Sequence, residues 1–394
     1  MDSLKNILPF TDSAFFGYTL VVVLLFLLAK RFLQQRLPYK LLLAATSLFY
    51  ISWMFPKPIQ LAGLILYTYG IYYLLGRRLK FKGLLLPVIL LTLPMVFMKT
   101  LNILPSNSET GGIATLSTIF QIAGLSFLTF KVIQLYIDEK DSATTVSLLD
   151  YFNFTAFVPT LLIGPIDRFG RFNENVKNGY SGINSERFLA GIDKIIRGLF
   201  YKFIIGEAIL VLVLNHIENT GTWWFYIADM YAYLFYLFFD FAGYSLLAIG
   251  VGNAIGIDVP YNFDKPFLAV NPKEFWKKWH KTLGDWLNDY FFKPVFKELT
   301  SKKVLKPIQR QNVALFLTFT VMGFWNGFEL HFIVSGMLFG CYSVIHNYYV
   351  YLCKKNGKDP VFGSLNTKTI ERISIFILFN AVAVAIYVFS GRLF

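Results

Sequence analysis

Charged residues are scarce in this sequence of 394 residues. They make up 15% of the chain, whereas 55% of the residues are hydrophobic and the mean hydropathy is +0.52. A soluble domain of ordinary composition carries about a quarter charged residues. The composition therefore excludes an ordinary soluble protein and predicts that lipid is the solvent for most of the surface.

Cysteine and histidine are also rare, with two and four residues respectively. Cys341 and Cys353 lie in an apolar stretch, at a spacing that fits neither a disulfide framework nor a zinc site. None of the histidines belongs to an HExxH motif, a nucleophile elbow or a Cys–His metal pattern. The sequence therefore predicts no bound metal and gives no support to a serine-hydrolase mechanism.

Apolar runs long enough to cross a bilayer recur along the chain, which predicts an all-α polytopic membrane protein. A spanning helix needs roughly 20 predominantly apolar residues. The run at 222–256 is too long for one simple crossing, which predicts a tilted helix or two helices. The predicted spans are 14–35, 39–55, 58–76, 83–99, 112–136, 187–217, 222–256, 309–326, 329–353 and 369–391.

Positive charge is unevenly distributed between the loops. The loops at 30–40 and 77–82 are basic, whereas the connectors at Lys57 and 102–112 are not. The positive-inside rule then places the basic loops in the cytoplasm and the N-terminus outside. This pattern explains most of the net charge of +13 without nucleic acid as a partner. The first apolar run lacks a basic n-region and a small-residue cleavage site, so we expect it to remain as the first helix.

The apolar run at 151–166 is too short to span a bilayer as a regular helix. It contains Pro159, Gly164 and Pro165, which break helices. Irregular backbone at membrane depth is tolerated only where protein or a water-filled cavity surrounds it. The run therefore predicts a re-entrant or broken segment buried in protein.

The stretch at 271–298 has the pattern of an interfacial amphipathic helix. Asn271, Pro272 and Glu274 can supply an N-cap, a first-turn proline and a capping-box partner, so the helix is expected to begin there. Lys277, Lys278 and Lys281 lie off the apolar stripe. The stripe itself recurs at three- and four-residue steps and consists of Trp276, Trp279, Leu283, Trp286, Leu287 and Tyr290.

Two ionisable residues have apolar sequence neighbours. Asp240 lies within a predicted span, where a carboxylate is a functional candidate by default. Its alternative role is a packing hydrogen bond to Tyr244 or Ser245. His280 follows Trp276 by four residues, so a continuous helix directs it toward protein, as either a structural or a catalytic histidine.

Three linked motifs resemble the core of the membrane-bound O-acyltransferases. They are FDFAGYS at 239–245, YNFDKPF at 261–267 and EFWKKWHKTLGDWLNDY at 274–290. Upstream, VPTLLIGPIDRF at 158–169 is similar to the family's proline–glycine–proline segment, with Arg168 at its basic position. The resemblance covers at least residues 158–330.

The resemblance implies a funnel-shaped fold of about 10–12 transmembrane or re-entrant helices around a central tunnel across a thinned centre. The whole chain, 1–394, would be one domain, with the core at 158–330 between peripheral helices at 14–136 and C-terminal helices at 329–391. The residues expected to line the tunnel or contact substrate are Asp240, Trp276, Trp279, Trp325 and Arg168.

Within the family, the chain is most similar to the branch that D-alanylates lipoteichoic acid, partly because Leu246 replaces an acidic residue common in alginate-type acetyltransferases. That branch implies a multi-pass protein of the bacterial cytoplasmic membrane. Its donor is D-alanine held as a thioester on the 4'-phosphopantetheine of a carrier protein at the cytoplasmic face, with no cofactor bound by the enzyme. The acceptor outside is teichoic acid or a small membrane protein.

Positive charge is concentrated at 273–310, a stretch that contains ten lysines and arginines but only four acidic residues. Lys277, Lys278 and Lys281 are the candidates for docking an acidic carrier protein. The alternative is ordinary positive-inside charge beside anionic membrane lipid.

The chain departs from the branch at Trp325-Asn326-Gly327, where relatives read Trp-His-Gly with the histidine as the catalytic base. Asparagine does not titrate and cannot take a proton from a hydroxyl. Three accounts follow: His280 is the base and Asn326 positions substrate, His331 reaches the site, or the chain is weakly active or inactive. We favour His280 with Asn326, because His331 points elsewhere on a regular helix.

Two rival functions follow from the same residues. One is O-acetylation of an exported polysaccharide, which needs an acetyl donor. The other is a non-catalytic scaffold or transporter, because Asn326 replaces the usual histidine.

Overall fold

A computed structural model of the chain describes residues 13–33, 36–81, 83–103, 122, 124–140, 146–217, 221–303, 305–362 and 368–393. Every regular element in these ranges is helical, which confirms the all-α prediction. In the first half of the chain the helices are α1 (Ser13–Leu28), α2 (Tyr39–Phe49), α3 (Pro58–Ile71), α4 (Leu85–Ile103), α5 (Leu125–Lys140), α6 (Leu148–Thr155), α7 (Phe169–Asn178) and α8 (Ser185–Leu199). Wider π-type turns extend α1 through Ala29–Leu33, α2 through Tyr50–Met54 and α3 through Tyr72–Arg78.

The second half of the chain is helical in the same way. Helix α8 runs on through Phe200–Gly206, Glu207–Ile209 and Leu210–Leu214. The later helices are α9 (Trp223–Ala254), α10 (Pro272–Lys278), α11 (Lys281–Leu287), α12 (Lys293–Lys302), α13 (Pro307–Asn326), α14 (Leu330–Lys355) and α15 (Lys368–Phe389). A π-type turn, Asn288–Phe292, connects α11 to α12.

Four helical stretches of the described residues are long and apolar enough to cross a membrane: Ala14–Leu33, Pro58–Arg78, Trp223–Ala254 and Lys368–Phe389. Each coincides with a predicted span, and together they agree with a multi-pass membrane protein. The run at 222–256 forms one unbroken helix of 32 residues, α9. Of the predicted span at 112–136, the part from Leu125 is helical in α5, and residues 112–121 lie outside the described ranges.

The chain divides into two compact units. The first contains residues up to Leu199 together with Gly243–Pro260, and the second contains Phe200–Ala242 together with Tyr261–Phe394. Helix α9 therefore contributes its first part to the second unit and its last part to the first. The single domain expected from the family resemblance stays a prediction.

In the first unit, the apolar run at 151–166 is interrupted, as predicted. Helix α6 ends at Thr155 and is followed by a single 3-10 turn, Val158–Thr160. The buried Lys131 of α5 donates to the carbonyl of Phe154 (3.1 Å) and to the hydroxyl of Thr160 (3.0 Å). These bonds satisfy polar groups that the broken helix leaves without an internal partner.

In the second unit, α13 and α14 pack closely through glycines. A Cβ atom on Gly323 would lie 2.6 Å from the carbonyl oxygen of Phe332, and one on Gly336 would lie 2.5 Å from that of Phe319. Helix α15 joins them through Ser335, whose hydroxyl donates to the carbonyl of Ala385 at 2.8 Å. Small residues allow this close approach of helix backbones, as is common within membranes.

The predicted amphipathic helix at 271–298 begins where expected but is not continuous. The Asn271 side chain accepts a hydrogen bond from the Glu274 amide at 2.8 Å, and Pro272 occupies the first turn. Helix α10 then ends at Lys278, Trp279 is extended, and His280 is left-handed before α11 begins. The prediction of one helix through this region is therefore wrong at Trp279 and His280.

Candidate active site

His280 occupies the joint between α10 and α11 in a conformation that L-residues rarely adopt. Its φ is 42° and its ψ is 48°, in the left-handed region. This conformation costs a residue with a Cβ atom roughly 1–2 kcal/mol. The rest of the second unit must hold His280 in place, because its own conformational preference opposes this geometry.

The His280 imidazole is enclosed by aromatic rings and is 7% exposed. The ring of Phe241, on α9, meets it edge-on with the ring centroids 4.7 Å apart, and the Trp325 ring, on α13, lies at 6.3 Å. The buried Nε2 atom has no hydrogen-bond partner within the described part of the chain. The imidazole thus presents an unused polar atom in buried, aromatic surroundings.

Burial lowers the pKa of the His280 imidazole from its ordinary value of 6.5 to about 3. His280 lies outside the four helical stretches that can cross the membrane. It is therefore neutral at physiological pH, which is the form that can accept a proton. The same burial makes a lone imidazolium unfavourable, so proton uptake needs negative charge that develops nearby in the same step.

The two tryptophans expected to contact substrate have different surroundings. Trp279 is buried among Phe263, Phe267 and Phe275, with ring centroids at 5.2, 5.9 and 5.6 Å, as an aromatic core residue would be. Trp276 packs against Phe319 and Phe339, on α13 and α14. Its buried indole Nε1 has no hydrogen-bond partner in the described ranges, which leaves a donor that a substrate carbonyl can use.

Asn326 is the last residue of α13, directly after Trp325. Its Nδ2 atom donates to the carbonyl of Met322 at 2.8 Å, within its own helix. The side chain that contacts His280 is that of the neighbouring residue Trp325, whose ring lies beside the imidazole. Gly327, the first residue after the helix, has an extended backbone that leads toward α14.

Asp240 forms an ion pair with Lys202, which lies in the π-type turn that follows α8. Both residues belong to the second unit. Lys202 is not among the residues predicted for the site, although a lysine inside the apolar run at 187–217 needs a partner. The carboxylate at position 240 thus has a structural partner in addition to its candidate role toward substrate.

Arg168 lies in the first unit, where it precedes α7. Its backbone N–H donates to the Asp167 carboxylate at 2.7 Å, and the same carboxylate forms an ion pair with Arg171 at 2.8 Å. Gln134 of α5 donates to the Asp167 carbonyl at 2.6 Å. Arg168 is thus embedded in the polar network that holds the end of the broken segment.

The three candidate docking lysines differ in availability. Lys277 and Lys281 are exposed. Lys278 is half-buried and forms an ion pair with Glu274 at 2.6 Å, one turn earlier on α10. Two of the three candidate docking side chains are therefore exposed.

His331, the other candidate base, lies at the start of α14. Its ring contacts Phe332 at 4.1 Å, and a Cβ atom on Gly391 would lie 3.3 Å from it. The break at Gly327–Glu329 agrees with the separate predicted spans 309–326 and 329–353, so Asn326 and His331 do not lie on one regular helix. His331 thus lies beside the C-terminal turn after α15. His280, in contrast, contacts the rings of Phe241 and Trp325.

Sequence similarity to known proteins extends over most of the chain. The family model of the membrane-bound O-acyltransferases matches residues 113–387. A teichoic acid D-alanyltransferase of Bacillus subtilis is 36% identical over 286 residues, which cover 70% of each chain. The protein of the same name from Streptococcus thermophilus is 34% identical over 297 residues, also 70% of each chain. A Pseudomonas fluorescens protein described as a probable alginate O-acetylase, AlgI, is 30% identical over 79% of this chain and 61% of its own.

Proposed function

Because the chain belongs to the membrane-bound O-acyltransferase family, we propose that it transfers D-alanine from a carrier-protein thioester to teichoic acid or to a membrane-bound intermediate acceptor. The observation that carries the proposal is the identity, over 70% of both chains, to relatives named teichoic acid D-alanyltransferase. The site around His280 is compatible with this chemistry, since it offers a neutral imidazole in buried, aromatic surroundings.

In the proposed reaction, His280 is the general base. The acceptor hydroxyl oxygen forms a bond to the thioester carbonyl carbon while its proton passes to the imidazole. The tetrahedral intermediate then collapses, the carbon–sulfur bond breaks, and the departing thiolate takes the proton from His280. Negative charge on the carbonyl oxygen and then on sulfur accompanies the imidazolium, which offsets the cost of charging a buried ring.

Two neighbouring groups have supporting roles in this proposal. Trp276 offers a buried indole N–H to a carbonyl of the donor. Asn326 replaces the usual base with an amide, and the amide acts as a hydrogen-bonding group that positions substrate. Binding and orientation of the two substrates can supply much of the rate enhancement.

The donor is delivered, in the same proposal, from the cytoplasmic face of a bacterial cytoplasmic membrane, with the N-terminus outside. The phosphopantetheine arm is part of the donor substrate and remains on the carrier protein. The exposed Lys277 and Lys281 supply positive charge for an acidic carrier. The acyl group leaves toward the acceptor on the opposite side.

Two observations favour other functions. The likeness to the alginate O-acetylase relative favours acetyl transfer to an exported polysaccharide. Asn326, which cannot act as a base, favours a disabled enzyme that serves as a scaffold or transporter. These alternatives predict different donors or no turnover, so one assay can separate all three.

The test is transfer of radiolabelled acyl groups to membranes that contain this chain. Carrier protein charged with D-alanine and an acetyl donor are compared with uncharged carrier as the blank. The variants are His280→Ala, Asn326→Ala and Asn326→His, with expression checked for each. We expect D-alanyl transfer by the wild type and its loss, by about 10²–10⁴, in His280→Ala.

Each alternative has its own signature. Transfer of acetyl with no transfer of D-alanine would replace the proposal with an O-acetyltransferase. An inert wild type that gains activity in Asn326→His would identify a disabled enzyme. Full activity of His280→Ala would remove the base assignment.

A further inference from the structure

The left-handed joint at His280 is held by backbone hydrogen bonds on both sides. The N–H of Asp264 donates to the carbonyl of Lys278 at 2.9 Å, just before the joint. The N–H of Lys281 donates to the carbonyl of Asn262 at 2.8 Å, just after it. The segment 261–267, which is the second of the three linked sequence motifs, therefore lies alongside the joint and fixes both of its ends.

A side-chain hydrogen bond reinforces this arrangement. The hydroxyl of Thr282, in the first turn of α11, donates to the Asn262 side-chain oxygen at 2.5 Å. Both residues are buried, with Asn262 1% exposed and Thr282 6% exposed. Asn262 thus accepts one hydrogen bond on its backbone and another on its side chain, from two residues that directly follow His280.

The same segment also packs against the neighbours of the imidazole. The Phe263 ring meets Phe241 edge-on at 5.1 Å and Trp279 edge-on at 5.2 Å. Phe241 in turn contacts the His280 ring at 4.7 Å. The segment therefore constrains the backbone of His280 and the Phe241 ring that contacts its side chain.

We propose that the segment 261–267 is a positioning element for His280, in which Asn262 and Thr282 hold the imidazole at the reacting atoms. The proposal rests on the proposed role of His280 as the base. A histidine in a strained backbone conformation persists only where its surroundings over-determine it, and such sites cluster where geometry serves chemistry. Loss of the Thr282–Asn262 bond is then expected to turn the imidazole away with the fold intact.

The experiment compares Thr282→Val with two matched variants. Thr282→Ser keeps the hydroxyl. Thr318→Val removes the hydroxyl of another buried threonine, which donates within α13 to the Ala314 carbonyl at 2.7 Å. We expect Thr282→Val to lower kcat for D-alanyl transfer about tenfold or more, because small misplacements of a catalytic group are costly. KM for the charged carrier should stay within about twofold, and Thr282→Ser and Thr318→Val should retain the wild-type kcat.

A second readout is independent of turnover. Histidine labelled with ¹³C gives signals from only four residues, and His280→Gln identifies the signal of His280. We expect that signal to shift in Thr282→Val and to stay unchanged in Thr318→Val. If the wild type transfers nothing, the proposed function fails, while the signal still tests the positioning role.

Thr282→Val leaves the buried oxygen of Asn262 without this donor, which can impair folding. The double variant Asn262→Ala with Thr282→Val removes both partners and avoids that penalty. We expect its kcat to equal that of Thr282→Val. An unshifted His280 signal in both variants, or wild-type kcat with only a lower unfolding temperature, would overturn the proposal.

Discussion

The segments 148–166 and 272–287 are both interrupted helices, one in each unit. In the first, α6 ends at Thr155, and Pro159, Gly164 and Pro165 follow, with Gly164 at a φ of +143°. In the second, no proline or glycine lies between Trp276 and Leu283. That interruption falls on Trp279 and His280, and His280 takes the left-handed conformation.

The difference shows two ways of ending a helix. Proline removes an N–H donor and clashes with the preceding turn, so it ends a helix from within its own sequence. At His280 the local sequence favours continuation. The break is held by two residues distant along the chain: Asn262, whose carbonyl accepts a hydrogen bond from Lys281, and Asp264, whose N–H donates to Lys278. Strain of the second kind is the kind associated with functional sites.

The largest effect is expected from His280→Asn. Asparagine tolerates the left-handed conformation better than most residues but has no titratable base. We expect the rate of acyl transfer to fall about 10²–10⁴, with a change in unfolding free energy below about 2 kcal/mol. Initial rates and thermal unfolding of the purified protein measure both.

His331→Asn is the control for this variant, and its transfer rate should stay close to that of the wild type. If His331→Asn is inactive while His280→Asn turns over, the base is His331. The helix interruption at His280 would then have no catalytic role and would not differ in this respect from the interruption in 148–166.

Gly124→Ala tests whether the first break also depends on distant contacts. Gly124 has a φ of +82°, and a Cβ atom there would lie 2.4 Å from the carbonyl oxygen of Leu161 in the broken segment. We expect a loss of about 2–4 kcal/mol from backbone strain and overpacking. The thermal unfolding midpoint measures it, with Gly63→Ala, which has open space around its Cβ position, as control. An unchanged midpoint would mean that prolines alone maintain the first break.

The pH dependence of stability tests whether His280, at the interruption in 272–287, is buried as a neutral ring. The pKa of His280 is lowered by burial to about 3 in the folded protein. Between this value and the unfolded value of about 6.5, the unfolded chain binds the extra proton. The contribution of the neutral, buried His280 to the free energy of unfolding is therefore fully present above about pH 6.5. It is lost as the pH falls toward 3, at up to about 1.4 kcal/mol per pH unit.

Thermal unfolding midpoints between pH 7.5 and 5 measure this slope. His280→Asn should show a shallower decline than the wild type, because its side chain does not titrate. Equal slopes would indicate that His280 is accessible to protons and is not buried as a neutral ring.

The smallest effect is expected at the start of α10, which is set by the local capping residue Asn271. Asn271→Ala removes the side chain that accepts from the Glu274 amide. Loss of an N-cap costs about 1 kcal/mol, so the unfolding midpoint should fall slightly while kcat stays nearly constant. A large loss of activity would show that the cap, together with the segment 261–267, helps to set the His280 joint.

Much of the fold was predictable because its signals are local. Apolar runs gave the positions of the long helices, although the sequence left open whether 222–256 was one helix or two. The start at Asn271 followed from capping chemistry, and the break at 151–166 followed from two prolines and a glycine. The three linked motifs indicated the family, to which the matched residues 113–387 assign the chain.

The site was only partly predictable, since its geometry depends on contacts between distant residues. The aromatic stripe of residues 276–290 could not distinguish Trp279, which lies in the core, from Trp276, whose indole N–H has no partner among the described residues. The partner of Asp240, Lys202, lies 38 positions earlier in the chain.

The sequence by itself determined the membrane character, the helical class and the identities of the chemically capable residues, because composition and short motifs encode these properties. Only the tertiary structure decided that His280 is left-handed, buried between Phe241 and Trp325, and held from Asn262. The physical reason is that local sterics oppose a left-handed histidine. Only hydrogen bonds and packing from distant parts of the chain can supply the free energy that holds it there.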